Sequence, residues 1–311
     1  MSPTPTEVVD AINAVSGAHD GARAAHAKGT LMAATFTGLP GAAALTRAAH
    51  FDGTPRRATI RVSNGGGDPG VPDYAREARG IAIKVYVDDD VRTDMVGLTL
   101  PRFFVRTVED FHAFTQARRP DPETGQPDMA AVGAFLEAHP EALPAIQAAL
   151  GAPPPASYAT CRFNGIHTFR WTNADGETRH VRWRLEPDGG TEDLEDDAAK
   201  ARGRDYLQEE IAGRAGAAFT LSVAIGEDGD AVVDPTEEWP EERERVDVAR
   251  LELTGVEEGR EQSSDDVLVF DPTRVVDGIE TTDDPILLFR PRAYAVSVQR
   301  RSGAPIPSHL A

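Results

Sequence analysis

The sequence predicts an α+β fold in which a β-barrel or a large antiparallel sheet carries peripheral helices. Short runs with alternating or β-branched residues, bounded by Gly, Pro and Asp, are typical of strands, and two blocks of the chain contain them. The first block holds TLMAATFTG, RRATIRVSN, GIAIKVYVD and MVGLTLPRFFVR, and the second holds AAFTLSVAIG, VARLELTGV and DDVLVFDP. Between the blocks, NADG separates two aromatic-rich runs and predicts a hairpin, because Asp and Gly accept the turn conformations that close such pairs.

Helical spacing of apolar residues marks the segments around these strands. Val8, Ile12 and Val15 predict a short opening helix, with Thr6 as its N-cap and Gly17 as its stop. VEDFHAFTQAR predicts a second helix, and AAVGAFLEAHPEALPAIQAAL predicts two or more short helices because prolines interrupt it. We expect one further helix in ARGRDYLQEEIAGRAG and a final one in FRPRAYAVSVQRRSG, followed by an extended tail.

The composition excludes several classes of function. Lys and Arg total 32 against 51 Asp and Glu, so the net charge of −19 argues against a surface for nucleic acid or anionic lipid. The single cysteine, Cys161, excludes an internal disulfide and any multi-cysteine metal cluster. No apolar run approaches membrane-spanning length, and the first residues lack the pattern of a signal peptide. We therefore expect a cytoplasmic protein that binds neither nucleic acid nor membrane.

Two segments carry residues capable of chemistry, although each also has a purely structural interpretation. GARAAHAKGT contains Arg23 and His26, yet a single histidine in an Ala-rich segment is more often structural. TIRVSNGGGDPG places Arg61 and Ser63 on one side of a strand, because side chains alternate along it. Its glycine run lacks the Lys-Ser/Thr ending of a phosphate-binding loop and is better explained as a turn.

A third segment, LLFRPRAYAVSVQRR, places Arg290 four residues before Tyr294. On a helix this spacing puts the guanidinium and the phenol on one face, where the cation could hold the phenol as a phenolate. A phenolate is a good ligand for ferric iron. The structural alternative is an ordinary amphipathic helix.

Seven segments resemble those of haem catalases and occur in the same order: AAHAKGT, RATIRVSN, AREARGIAIKVY, DMVGLTLPRFFVRTVEDF, GIHTFRWTNADGE, VFDPTRV and RPRAY. The chain is most similar to the minimal, catalase-related peroxidases, because it lacks the long arm and the additional helical domain of larger catalases. The resemblance implies a barrel of about eight antiparallel strands that encloses b-type haem. It places this domain at 23–301, after a helical segment at 1–22 and before a tail at 302–311.

The resemblance also implies roles for individual residues. His26 matches the distal histidine that moves protons between the peroxide oxygens, and Ser63 matches the hydroxyl that orients its imidazole. Tyr294 matches the proximal iron ligand, and Arg290 matches the arginine that pairs with its phenolate. Three arginines match those that face the haem propionates, and two aromatic residues match those near the distal haem face: Arg23, Arg61, Arg301, Phe103 and Phe111.

One strand departs from the family pattern. Typical catalases carry Asn-Asn-Thr-Pro after Asp-x-Val-Gly, whereas this chain has DMVGLTLP. Leu98 therefore stands where the family has the asparagine that positions peroxide. Thr99 is the only polar group beside it, and we predict that Thr99 is a catalytic residue. Rapid dismutation of hydrogen peroxide is not expected.

Taken together, the resemblance predicts a haem peroxidase that reduces hydrogen peroxide or organic hydroperoxides through a ferryl intermediate, with a small organic electron donor. Three alternatives remain open. The protein could be a true catalase, a fatty-acid hydroperoxide-transforming haem enzyme, or a haem carrier or sensor without catalysis. By analogy with barrel relatives, we expect a possible homodimer.

Overall fold

The structure, a computed structural model, describes residues 2–257 and 268–306. Within these ranges, ten strands form one antiparallel sheet. The strands are β1 (Gly29–Gly38), β2 (Arg56–Asn64), β3 (Arg79–Tyr86), β4 (Arg92–Leu98), β5 (Phe163–Asn164), β6 (Phe169–Thr172), β7 (Thr178–Pro187), β8 (Ala218–Ile225), β9 (Arg245–Val256) and β10 (Ile279–Thr281).

Eight of the described strands close into a barrel. Neighbouring strands pair in the order β1, β2, β3, β4, β5, β7, β8 and β9, and β9 pairs with β1 again. The first half of β7 pairs with β6, and the second half of β7 pairs with β5. β6 in turn pairs with β10. This topology confirms the predicted barrel, and β6 and β7 form the hairpin predicted around NADG.

The described residues also form seven α-helices. They are α1 (Pro5–Ser16), α2 (Val108–Ala117), α3 (Met129–Ala138), α4 (Leu143–Gly151), α5 (Asp196–Ala201), α6 (Tyr206–Ala212) and α7 (Pro285–Ser302). α1 packs against both α2 and α7, and α3 packs against α2. Of the helices in the described ranges, none combines the length and apolar character that a membrane crossing requires. The division of the chain at residues 22 and 301 stays a prediction.

The barrel is filled by alternate side chains of its strands. The inward residues of β2 and β3 are almost completely buried in the main apolar core: Ala58, Ile60, Val62, Ile81, Ile83 and Val85. Since successive side chains point to opposite faces, Arg61, Ser63, Gly80 and Ala82 lie on the outer face of the barrel. Ser63 of β2 and Leu98 of β4, which both pair with Gly80 of β3, share this outer face.

The boundaries of two elements differ from the sequence predictions. The N-cap of α1 is Thr4 rather than Thr6, because Thr4 and Glu7 form a reciprocal capping box and Pro5 starts the helix. The segment predicted as one strand in MVGLTLPRFFVR ends at Leu98. Beyond it, Pro101 has no N–H to donate, and the N–H of Phe103 donates to the carbonyl of Pro235.

Two further segments also depart from the predictions. ARGRDYLQEEIAGRAG forms parts of two helices, α5 and α6, which are separated at Gly203, where φ is 104°. DDVLVFDP is only partly described, since residues 258–267 lie outside the described ranges. Its described part, 268–272, is not a strand. It is tied to β4 instead, because the N–H of Asp271 donates to the Asp94 carboxylate at 2.8 Å.

Candidate active site

His26 lies in the short connection between α1 and β1, with its backbone in the left-handed region at φ 55°. Residues other than glycine rarely adopt this conformation, and it persists only where the surroundings enforce it. Here the glycine-rich turn after β2 does so. The N–H groups of His26 and Ala27 donate to the carbonyls of Gly65 and Gly66 at 3.2 and 2.9 Å. Such enforced backbone strain is characteristic of functional sites.

The imidazole of His26 is held by Ser63. Its Nδ1 lies 3.0 Å from the Ser63 hydroxyl oxygen, which leaves Nε2 for proton exchange with a substrate. Gly80, which pairs with Ser63 across β2 and β3, lies beneath the ring. A Cβ on Gly80 would come within 2.6 Å of Nδ1, so this close approach requires glycine. The structure therefore brings His26 and Ser63 together, as the resemblance to haem catalases implies.

The charge state of His26 follows from its surroundings. Burial, together with the nearby cations Arg61, Arg290 and Arg23, lowers the pKa of His26 to about 4. The imidazole is therefore neutral at pH 7 and can accept a proton. Its hydrogen bond to Ser63 orients the ring as a general base requires.

Leu98 lies on the same outer face as Ser63 and Gly80. Gly80 pairs with Ser63 on one side and with Leu98 on the other. Since directly paired residues project from the same face, the leucine side chain lies across Gly80 from the Ser63 hydroxyl, and the His26 ring lies over that glycine. A leucine here can neither donate nor accept a hydrogen bond.

Thr99, the polar neighbour of Leu98, is bound to the backbone of β3. Its hydroxyl accepts the N–H of Arg79 at 3.0 Å, and its own N–H donates to the Arg79 carbonyl at 2.9 Å. Among the described residues, no hydrogen bond joins Thr99 to His26. Its predicted catalytic role therefore stays a prediction, while the structure shows that it fixes the end of β4 beside Gly80.

Tyr294 and Arg290 lie one turn apart on α7. The Nε of Arg290 donates to the phenol oxygen of Tyr294 at 2.7 Å. The contact places a permanent positive charge beside the phenol oxygen. The predicted pairing of the two side chains is thus present, and a neighbouring buried pair extends it.

His167 and Asp284 continue the hydrogen bonds from Arg290, and neither was among the site residues predicted from the sequence. Arg290 Nη1 lies 3.0 Å from His167 Nε2, and His167 Nδ1 lies 2.6 Å from an Asp284 carboxylate oxygen. Because Arg290 can only donate, Nε2 accepts, and Nδ1 carries the proton that Asp284 receives. Burial lowers the pKa of His167, while Asp284 opposes this shift. Asp284 also caps α7 through the N–H groups of Ile286 and Leu287.

Arg23 and Arg301 converge on one carbonyl. Both donate to the carbonyl of Leu268 at 3.1 Å, although they are far apart in sequence. Arg61 donates to the carbonyls of His26 and Ala27 at 2.7 and 3.2 Å. The three arginines predicted to face propionates thus lie around the His26 segment, and Arg61 also supports the backbone of that segment.

Phe103 and Phe111 stack in parallel, with ring centroids 6.1 Å apart and planes inclined by 5°. Both are half-buried and pack against a small apolar cluster. This cluster joins α1, α2, α3 and α7 and includes Val8, Phe114 and Ile286. The two rings therefore belong to a packed helical cluster, and their place near the distal haem face stays a prediction.

The segment that carries His26 contacts the helix that carries Tyr294. The N–H of Ala24 donates to the hydroxyl of Ser297, three residues beyond Tyr294, at 3.3 Å. Arg290 is also close enough to His26 to lower its pKa. The two constellations, one on the barrel and one on α7, therefore belong to a single site.

Comparisons with known proteins agree with this arrangement. The catalase family model matches residues 8–307. A catalase-related peroxidase of Mycolicibacterium paratuberculosis is 39% identical over 306 residues, which cover 96% of this chain and 95% of that protein. A catalase-related peroxidase of Synechococcus elongatus is 33% identical over 254 residues, which cover 81% of this chain and 75% of that protein.

Solved structures show the same fold. A fungal catalase superposes with a TM-score of 0.80 at 27% identity, over 91% of this chain and 59% of the fungal chain. Catalase A from Saccharomyces cerevisiae gives a TM-score of 0.80 at 23% identity, over 90% of this chain and 61% of that chain, and shows the likeness of fold alone. The chain thus spans about three fifths of these larger proteins. With a family match along nearly its whole length, the chain belongs to the catalase family.

Proposed function

We propose that this chain is a haem-dependent peroxidase that reduces hydrogen peroxide or organic hydroperoxides with a small organic electron donor. The observation that carries the proposal is the placement of two ordered pairs in one site. His26 and Ser63 form a proton-transfer pair on the barrel, and Arg290 and Tyr294 form a hydrogen-bonded pair on α7. The resemblance to catalase-related peroxidases supports the same activity.

The residues present suit haem b. Tyr294, activated by Arg290, would bind the iron through its phenol oxygen. The cations Arg23, Arg61 and Arg301 would pair with the two propionates, because guanidinium groups match carboxylates in charge and shape. When bound, haem supplies the iron at which the peroxide O–O bond breaks and which stores the oxidising equivalents.

His26 is the group that moves the proton. Neutral at pH 7, it takes the proton of a hydroperoxide at Nε2 and returns it to the leaving oxygen, which departs as water or an alcohol. Ser63 keeps the ring in place through Nδ1 during both transfers. General acid–base catalysis of this kind typically contributes about 10²–10⁴ in rate.

Leu98 favours peroxidase turnover over dismutation. A second hydrogen peroxide molecule can act as reductant only if it is oriented beside His26, and an aliphatic side chain offers it no hydrogen bond. An organic hydroperoxide or an organic donor gains contact with the same apolar surface. We therefore assign electron supply to a small organic donor. The homodimer and the cytoplasmic location stay predictions.

Haem reconstitution followed by rapid mixing tests the proposal. The loaded protein is mixed with hydrogen peroxide and then with an organic hydroperoxide, each with and without a phenolic donor, while oxygen and donor oxidation are recorded. We expect donor oxidation with little oxygen. Vigorous oxygen release would indicate a true catalase, and conversion of a lipid hydroperoxide without donor consumption would indicate a hydroperoxide-transforming enzyme. Haem uptake without any peroxide reaction would indicate a carrier or sensor.

A further inference from the structure

Asp73 is a fully buried carboxylate in the connection between β2 and β3, outside the residues assigned to peroxide chemistry. One of its oxygens, Oδ1, accepts from Asn64 Nδ2 at 2.9 Å and pairs with Lys28 Nζ at 2.8 Å. The other oxygen accepts the N–H of Leu207, at the beginning of α6, at 2.9 Å. The N–H of Gln208 also donates to this second oxygen, at 3.4 Å. A buried carboxylate with four donors holds its neighbours in one arrangement, because losing any of them is costly.

Two of these donors are sequence neighbours of the proton-transfer pair. Lys28 follows His26 by two residues, and Asn64 directly follows Ser63. The N–H of Asn64 donates to the Lys28 carbonyl at 3.0 Å, which continues the pairing of β1 with β2 beyond Gly29 and Ser63. Asp73 therefore joins the two strand ends at the point where they present His26 and Ser63.

A chain of hydrogen bonds fixes the Asn64 side chain from the other direction. Its oxygen accepts the Tyr158 hydroxyl at 2.6 Å, and the Tyr158 oxygen accepts from Gln208 Nε2 at 2.8 Å. The Gln208 oxygen accepts the Thr30 hydroxyl at 2.6 Å. Each group thus donates to the next, from Thr30 through Gln208, Tyr158 and Asn64 to the Asp73 carboxylate. A fully satisfied network of this kind specifies a single geometry.

We propose that Asp73 is a positioning residue that keeps the His26 imidazole in hydrogen-bond contact with Ser63, by tying together the strand ends that carry them. That contact is 3.0 Å long. Because hydrogen bonds weaken steeply beyond about 3.2 Å, a separation of the strand ends by about 1 Å would break it. The catalytic meaning of the pair rests on the proposed function, whereas its geometry can be measured without haem.

The imidazole itself provides the measurement. It faces the Ser63 hydroxyl and the cations Arg61, Arg290 and Arg23, and burial contributes most to its lowered pKa. If the strand ends separate, the ring gains water and loses its fixed partner. The tautomer equilibrium then approaches that of free imidazole, and the pKa rises toward its ordinary value.

Nuclear magnetic resonance of haem-free protein with ¹⁵N-labelled histidine measures both the tautomer equilibrium and the pKa of His26. The variant His26→Gln assigns the His26 signal. Ser63→Ala removes the contact directly and so shows how the His26 signals change when it is lost. Asp73→Asn is expected to reproduce that effect, with mixed tautomers and a His26 titration midpoint raised by about one pH unit, a tenfold change in proton affinity. Tyr158→Phe removes a hydroxyl from the same network but leaves the Asp73 contacts, so it should keep wild-type signals and controls for general loosening.

Unchanged His26 signals in folded Asp73→Asn, beside altered signals in Ser63→Ala, would overturn the inference. Should Asp73→Asn fail to fold, Asn64→Ala removes one of the two strand-end contacts, and unchanged signals there would overturn it equally. In haem-loaded protein, Asp73→Asn should lower the rate of the peroxide reaction about tenfold without changing haem uptake. Failure of wild type to bind haem or react with peroxide would remove the proposed function, while the resonance data would still decide the role of Asp73.

Discussion

The guanidinium Nε of Arg290 lies 2.7 Å from the phenol oxygen of Tyr294, one helical turn away on α7. This contact joins the predicted iron ligand to a buried series that continues through His167 to Asp284. Because Asp284 also caps α7, the start of the helix and the position of the Arg290 guanidinium depend on the same carboxylate.

Replacing Arg290 should weaken haem binding. Arg290→Leu removes the donor and the positive charge beside the phenol oxygen, so we expect haem affinity to fall tenfold or more. Haem titration followed by absorbance measures this loss. Arg292→Leu, an exposed position on the same helix, serves as the matched control and should bind haem like wild type. Equal affinities in both variants would rule out the assigned role of Arg290.

Removal of the distal imidazole should abolish most peroxide turnover. For His26→Ala we expect a fall of about 10²–10⁴ in the second-order rate with an organic hydroperoxide, since alanine cannot accept the proton. Stopped-flow mixing of the haem-loaded variant measures the rate. The exposed His180 provides the control variant, His180→Ala, which should react at the wild-type rate. A His26→Ala rate within threefold of wild type would show that this residue does not transfer the proton.

The substitution Leu98→Asn should increase dismutation. The amide would stand on the barrel face beside His26 and could orient a second hydrogen peroxide molecule, so we expect oxygen release to rise at least fivefold. An oxygen electrode measures it, with donor oxidation recorded in parallel. Leu150→Asn, at an exposed position on α4, is the control and should leave both rates unchanged. No increase for Leu98→Asn would mean that the leucine does not limit dismutation.

Acid should destabilise the fold through His50. Its ring is 1% exposed and packs 4.2 Å from the ring of Phe51, and burial lowers the pKa of His50 to about 3. Below pH 6.5 the unfolded chain gains a proton here that the folded chain does not bind. The free energy of unfolding should therefore decrease as the pH decreases. This group contributes up to about 1.4 kcal/mol per pH unit between pH 6.5 and 3.

Urea unfolding of wild type and His50→Phe between pH 7 and 4 measures this dependence. The variant should lose part of the acid sensitivity, although His26, with a pKa of about 4, contributes to it in both proteins. His180→Phe, at an exposed position, should retain the wild-type slope. Identical slopes for wild type and His50→Phe would contradict a neutral buried His50.

The ion pair of Lys84 and Asp94 should contribute strongly to stability. The two groups lie 2.6 Å apart and are 3% and 0% exposed. Lys84→Met leaves the Asp94 carboxylate with less compensation, so we expect the free energy of unfolding to fall by about 3–5 kcal/mol. The exposed pair of Arg170 and Glu280 is the control, and Glu280→Gln should cost less than about 1 kcal/mol. Similar losses of unfolding free energy in Lys84→Met and Glu280→Gln would refute the expected difference between the buried and the exposed ion pair.

Alternation and β-branched residues between clear turn signals predicted the strands β2, β3 and β7. They left open a barrel or a large antiparallel sheet, and the resemblance to haem catalases decided in favour of the barrel. Helical spacing predicted that Arg290 and Tyr294 share one face of a helix. The contact of His26 with Ser63 followed only from the resemblance to haem catalases, because His26 lies in a connection whose path depends on the glycine-rich turn after β2.

Other features depend on contacts between distant segments. His167 and Asp284 meet although they are 117 residues apart, and a His in GIHTF or an Asp before Pro285 looks ordinary by itself. The residues GIHTF lay within a segment matched to catalases, which could have directed attention to His167. The segment DDVLVFDP shows the same dependence, because its described part is not the predicted strand. The Asp94 carboxylate accepts the N–H of Asp271 there, and this long-range polar contact outweighs local β propensity.

The absorption spectrum of the protein with one equivalent of haem, for wild type and Tyr294→Phe, tests the central claim most directly. We predict a ferric tyrosinate spectrum in wild type that is lost in Tyr294→Phe, and a rapid spectral change when an organic hydroperoxide is added to wild type. An unchanged spectrum in Tyr294→Phe, or no haem uptake by wild type, would contradict the account.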